Sequence, residues 1–255
     1  MPLELVTIPC LADNYAYLLH DAETGETALV DVPEPGPIAA VLAEKGWHLT
    51  HILLTHHHWD HVDGLAGLLA DHPAKVIGAE ADAHRLPKLD VSVAEGDSLT
   101  LCGEAMQVMD VSGHTIGHLA FYFPSSGYVF TADSLMALGC GRLFEGTPEQ
   151  MYDSLTKLAA LPPETLICSG HEYTQSNANF ARTIDPGNTA LMSRIEHVDQ
   201  ARAKGEPTVP SLLSEELSTN PFLRCDDPAV RAQVGMIDAD AAEVFAEIRT
   251  RKDTF

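Results

Sequence analysis

The run Thr55-His56-His57-His58-Trp59-Asp60-His61 sets four imidazoles and a carboxylate within seven residues. Neutral imidazole is the commonest protein ligand for metals, and nitrogen combined with carboxylate oxygen suits zinc, iron or manganese. In extended chain, side chains two apart point the same way, so His56 and His58 are predicted to share one ion. His57 alternates away from them and is expected to stand outside the ligand set. Asp60 and His61 fall where the chain turns toward a helix-like stretch at residues 64–70, and are predicted to face a second ion. The pattern asks for two ions.

Three further places repeat one arrangement, an apolar strand followed by small residues and then a candidate ligand. Val108-Met109-Asp110-Val111 leads to Ser112-Gly113-His114, Tyr128-Val129-Phe130 to Thr131-Ala132-Asp133, and Leu166-Ile167-Cys168 to Ser169-Gly170-His171. Strand ends on a shared edge are where α/β folds commonly assemble sites. Glycines such as Gly113 and Gly170 let backbone approach closely. A single histidine at a strand end would be unremarkable, but four strand ends in agreement favour a binuclear centre. His20, His48, His51, His72, His84, His118 and His197 lack such a context and are read as non-ligands.

The elements that must position these groups are legible as strands at residues 3–8, 15–20, 27–32, 51–54, 75–77, 98–101, 107–111, 119–123, 128–131 and 165–168. Helices are predicted over 37–45 and 148–161, the latter with proline at its start and a Pro-Pro stop. Two groups of strands, each leading into helices, predict two sheets packed face to face with helices outside. From about residue 174 the character changes to helical stretches at 191–203, 210–217, 228–235 and 239–251, with no convincing strand. A boundary is placed near 173, with a strand-rich domain over residues 1–173 and a helical appendage over 174–255.

Composition narrows the class. The 255 residues are 45% hydrophobic and 20% charged, as in an ordinary soluble globular protein. No stretch approaches the roughly 20 apolar residues of a membrane helix, and the first residues lack the features of a secretory leader. A formal net charge of -22 argues against a nucleic-acid partner. Five widely spaced cysteines, never arranged C-x-x-C, predict reduced thiols and a cytoplasmic location.

The T-H-x-H-x-D-H run with its later His, Asp and His resembles the metallo-β-lactamase superfamily. Within it, the chain is similar to the glyoxalase II, or hydroxyacylglutathione hydrolase, family over essentially its whole length. The similarity is carried by Ile8-Pro9-Cys10-Leu11-Ala12-Asp13-Asn14-Tyr15, by residues 139–147 (Gly-Cys-Gly-Arg-Leu-Phe-Glu-Gly-Thr) and by Gly170-His171-Glu172-Tyr173-Thr174. It continues through Thr208-Val209-Pro210-Ser211, Asn220-Pro221-Phe222-Leu223-Arg224 and Arg251-Lys252-Asp253. The metal motif alone is specific to the superfamily; the C-terminal segments narrow it to the family.

The resemblance implies an αββα sandwich of two mixed sheets flanked by helices (class α+β), followed by an all-helical domain. It implies one ion on His56, His58 and His114, a second on Asp60, His61 and His171, and Asp133 bridging. The ions would be zinc first, with iron or manganese also fitting the donors. Glutathione would lie against Tyr173, Arg249 and Lys252, helped by Arg142 and Phe144, where some relatives carry Lys and Tyr. The implied reaction is hydrolysis of S-D-lactoylglutathione and related 2-hydroxyacyl thioesters in methylglyoxal detoxification, by a monomer. A hydroxide shared by the ions would be the nucleophile, with Asp60 and Asp133 as catalytic carboxylates. A persulfide dioxygenase, another superfamily hydrolase and a non-catalytic metal-binding member remain as alternatives.

Overall fold

The apolar runs of the first 130 residues form strands, in keeping with their β-branched and aromatic content. β1 (Glu4–Cys10) and β2 (Asn14–His20) pair antiparallel from Glu4↔His20 through to Cys10↔Asn14. β3 (Thr27–Val30) joins β2 antiparallel, after which β4 (His51–Leu53), β5 (Lys75–Ala79) and β6 (Val91–Val93) add in parallel. The sheet order is therefore β1-β2-β3-β4-β5-β6. Its centre is dry. Leu18, Leu19, Leu29, Ile52 and Leu53 are fully buried, and each such side chain contributes about 1.5–3 kcal/mol of burial. The parallel crossovers pass through α1 (Pro35–Lys45) and through α2 (Trp59–Val62) with α3 (Leu65–Asp71). α1 ends, as its sequence predicts, at Gly46 in the left-handed conformation (φ 68°), whose N–H closes on the carbonyls of Ala43 and Leu42.

A meander follows: β7 (Ser98–Leu101), β8 (Glu104–Asp110), β9 (Leu119–Phe123) and β10 (Tyr128–Ala132), all antiparallel. β11 (Leu135–Met136) and β12 (Gly139–Cys140) make a small hairpin. β13 (Leu166–Ser169) and β14 (Ser211–Leu212) complete a second six-stranded sheet of order β14-β13-β10-β9-β8-β7. This is the expected αββα architecture.

The computed structural model describes residues 2–255. Two compact units are present. One takes the chain up to Val111 with Gly117–Thr131, the other Ser112–Ile116 with Ala132–Phe255. The second unit is mainly helical: α4 (Pro148–Ala159), α5 (Thr174–Ile184), α6 (Thr189–Ala203), α7 (Leu213–Thr219), α8 (Pro228–Val234) and α9 (Ala241–Asp253). Capping boxes at Thr147/Gln150 and Asp240/Glu243 start α4 and α9. Part of its core is Leu138, Ala178, Ala181, Leu191 and Ile195.

Several elements depart from the sequence expectation: β6, β11 and β12 are strands it does not predict, and α5 and β14 differ beyond residue 173. α5 was not predicted, because Thr-Gln-Ser-Asn-Ala-Asn offers little helix propensity and no clear apolar stripe. Burial of Ala178, Phe180, Ala181 and Ile184 supplies the helix's stability instead. The region beyond 174 also holds one strand, β14, where a helix was read to begin at 210. Ser211 and Leu212 pair with Ile167 and Leu166, and the helix starts only at Leu213. All five cysteines are free and buried. Among the described residues, no helix is long and apolar enough to cross a membrane.

Candidate metal centre

In the first unit, β3, β4 and β5 are parallel neighbours, so their C-terminal ends share one edge. β4 delivers the histidine run. His56 Nε2 and His58 Nδ1 meet at 3.1 Å, as the two-residue alternation predicts. His58, in extended conformation, caps α2, so Asp60 and His61 leave on a helical turn; His61 Nε2 stands 3.8 Å from Asp60 Oδ2. His118, read as a non-ligand, is buried and stacks on the His56 ring at 4.6 Å.

The two flanking strands also end in carboxylates, and each holds one imidazole of the run. Asp31, after β3, accepts from the Thr55 N–H (2.9 Å) and hydroxyl (2.8 Å) and lies 2.7 Å from His61 Nδ1. Asp82, after β5, lies 2.9 Å from His57 Nδ1 and pairs with Arg85. The Asp31 carboxylate is placed to accept from His61 Nδ1, which in the neutral ring leaves the Nε2 lone pair for ligation. His57 turns aside to pair with Asp82. Neither aspartate was picked out in the sequence, yet each follows an apolar strand just as His114, Asp133 and His171 do.

Asp31 sits at φ 58°, a left-handed conformation that costs a non-glycine residue on the order of 1 kcal/mol or more. Asp31→Asn keeps the shape but offers His61 a weaker partner. It is expected to lower metal affinity about 10–100-fold, read by competition with a chelator. Wild-type affinity in that variant would remove Asp31 from the site.

In the second unit, Asp133 follows Ala132, itself strained at φ 41°. Asp133 Oδ2 lies 3.4 Å from His114 Nε2 and 3.3 Å from His171 Nε2. All three side chains are buried. His114 Nδ1 is 2.7 Å from the Arg142 carbonyl, which only accepts, so the proton is on Nδ1 and Nε2 turns a lone pair toward Asp133. In the neutral ring that lone pair faces a buried carboxylate oxygen, an arrangement that a shared cation would satisfy, and the donors suit a divalent metal. The close approach depends on Gly141, where a Cβ would lie 1.9 Å from the Asp133 carbonyl oxygen and 3.0 Å from His114 Nδ1.

The residues expected at the substrate side all lie in this unit. Phe144 is 61% exposed and meets the His114 ring edge-on, so it does not pack in the core. Tyr173 is partly exposed and stacks on His171 at 4.6 Å. Arg142 is exposed, 3.3 Å from Asp253. Arg249 is buried; its guanidinium donates to the carbonyls of Cys140 (3.0 Å) and Gly141 (3.5 Å) and to Asp253 (2.9 Å). Lys252 is half-buried between Phe180 and Phe255, and burial, followed by repulsion from Arg249, holds its pKa below the usual lysine value. Arg249 thus reaches the 140–141 segment, about a hundred residues away in sequence.

Sheets of this order with His/Asp clusters at their strand ends define a chain of the metallo-β-lactamase superfamily, whose sequence model matches residues 12–171. A model described as hydroxyacylglutathione hydrolase C-terminus matches residues 172–255. The chain is 66% identical to a hydroxyacylglutathione hydrolase of Ruegeria pomeroyi and 63% identical to one of Cereibacter sphaeroides, each over 255 residues and the whole of both chains. It belongs to the hydroxyacylglutathione hydrolase (glyoxalase II) family. Among solved structures it resembles ETHE1 from Myxococcus xanthus in fold (TM-score 0.64, 24% identity, covering 100% of this chain and 99% of that one). It is also similar to TTHA1623 in a di-iron-bound form (TM-score 0.61, 28% identity, covering 86% and 100%).

Proposed function

We propose that this protein hydrolyses glutathione thioesters of 2-hydroxy acids, S-D-lactoylglutathione foremost, releasing the hydroxy acid and glutathione. The observation that carries the reading is full-length 66% identity to a hydroxyacylglutathione hydrolase. That identity also sets aside the dioxygenase-like and non-catalytic alternatives.

The proposed centre would hold one divalent ion on His56, His58 and His114 and another on Asp60, His61 and His171, with Asp133 shared by both. Supporting this, the Nδ1 protons of His61 and His114 are fixed by Asp31 and the Arg142 carbonyl, and Asp133 stands between two imidazoles. Zinc is the first expectation; the di-iron form of TTHA1623 supports iron as the next candidate. When bound, such a pair supplies a hydroxide nucleophile at neutral pH and positive charge against a developing oxyanion. The chain's own part is to aim the ligand imidazoles and to seat the substrate. The leaving thiol, with a pKa of about 8.5, departs as thiolate without a dedicated acid.

Residues 1–173 are proposed as the catalytic part and 174–255 as the substrate-binding part. Tyr173, Phe144, Arg142, Lys252 and Arg249 are assigned to the glutathione moiety, with Arg249 acting through the carbonyls it holds. An anionic thioester meets a chain of net charge -22, so these cations supply the local attraction. Lys252→Met is expected to raise KM several-fold with kcat nearly unchanged; a fall in kcat at constant KM would contradict a binding role. A cytoplasmic monomer is also proposed, supported for the compartment by the five free thiols. The deciding experiment assays purified protein on a panel of glutathione thioesters and measures metal in the same sample. Thiol release with two ions per chain is expected, and no hydrolysis of any member would overturn the reading.

A further inference from the structure

The opening segment 8–15 contributes nothing to the ligand set, yet the structure ties it to one of the ligands. Asn14 opens β2, opposite Cys10, and is 4% exposed. Its Nδ2 donates twice to the same residue: to the Asp60 carbonyl at 3.1 Å and to Asp60 Oδ2 at 3.0 Å. The end of the hairpin that carries it is fixed. β1 and β2 pair along their full length, and the turn residue Leu11 sits at φ 50° with its N–H bonded to Glu34 Oε1. A left-handed leucine persists only where its surroundings over-determine it.

We infer that Asn14 is a positioning residue that locks the Asp60 carboxylate in its ligating orientation; this rests on the reading of Asp60 as a ligand of the second ion. An amide nitrogen has two protons to give. One grips the main chain of α2 and the other the carboxylate, so both the backbone and the side-chain torsions of Asp60 are held from one point. Without that grip the half-buried carboxylate has fewer restraints on its torsions, and more of its ordering falls to the metal. A near-isosteric Asn14→Asp has no proton to donate and sets negative oxygen against both Asp60 acceptors.

The test equilibrates holoenzyme with zinc buffers of graded free concentration and counts bound zinc per chain, for wild type, Asn14→Asp and Asn14→Ala. One of the two ions is expected to bind about 10–100-fold more weakly in both variants while the other is unchanged. KM should stay at the wild-type value, and excess zinc should restore kcat to within about twofold. Retention of both ions at wild-type affinity overturns the inference. So does a loss of kcat and KM together that zinc does not restore, since that is the mark of a merely structural role. Asp60→Asn is the companion variant. If it also binds both ions normally, the ligand assignment of Asp60 fails; if it alone loses an ion, the fault lies with Asn14.

Discussion

Asp133→Ala is expected to lose metal and activity together, with kcat/KM falling by about a thousandfold or more, the several kcal/mol that ion charge supplies to a hydrolytic transition state. The reason is geometric. Asp133 Oδ2 lies between two buried imidazoles of the second unit, at 3.4 and 3.3 Å. Removing it leaves His114 and His171 without the anion that joins them. Elemental analysis of the purified variant alongside its kinetics is the measurement. A variant that keeps its metal but loses activity would make Asp133 a reactive group and not a ligand.

Glu216→Ala is expected to have the largest effect on stability, although Glu216 touches none of the proposed ligands. Its fully buried carboxylate takes the Arg194 guanidinium, the Ser211 hydroxyl (2.6 Å), the Leu138 N–H (2.8 Å) and Asn220 Nδ2 (3.1 Å). It thereby ties α6, α7, β14 and the β11–β12 turn, where Leu138 is held at φ 55°. Truncating one partner of a buried ion pair costs about 3–5 kcal/mol, because the other charge is left behind. At about 2–4 °C per kcal/mol for a chain of this size, Tm should fall on the order of 10 °C. A shift below about 1 °C in a thermal melt would show that Arg194 finds another partner.

The proposed ligands were legible because period-two alternation and strand ends are local signals. His56 and His58 meet as that alternation requires, and His57 turns aside to Asp82. The carboxylates that hold the run were not read, though the rule that found His114 also fits Asp31 and Asp82: an apolar strand, then a polar residue. What hid them is that their partners are 30 and 25 residues away, fixed by parallel pairing and not by any local motif. Arg249 is the converse. The resemblance sets it against glutathione, but the Cys140 and Gly141 carbonyls that draw it inward appear only once α9 is folded. α5 escaped for a related reason, since neighbouring helices supply its stability and its own residues do not.

The buried cysteines bear on how such an enzyme survives its own product. A thiol-releasing hydrolase works among glutathione and glutathione disulfide, and a disulfide captures protein cysteines through their thiolates. Burial pushes Cys10, Cys102 and Cys225 up to about 12 and Cys140 to about 11, and raises Cys168 as well. At neutral pH even Cys140 is a thiolate in only about one molecule in ten thousand. The chain therefore keeps five thiols within the fold and offers none for glutathionylation, so its activity should be indifferent to the redox state of the pool it feeds.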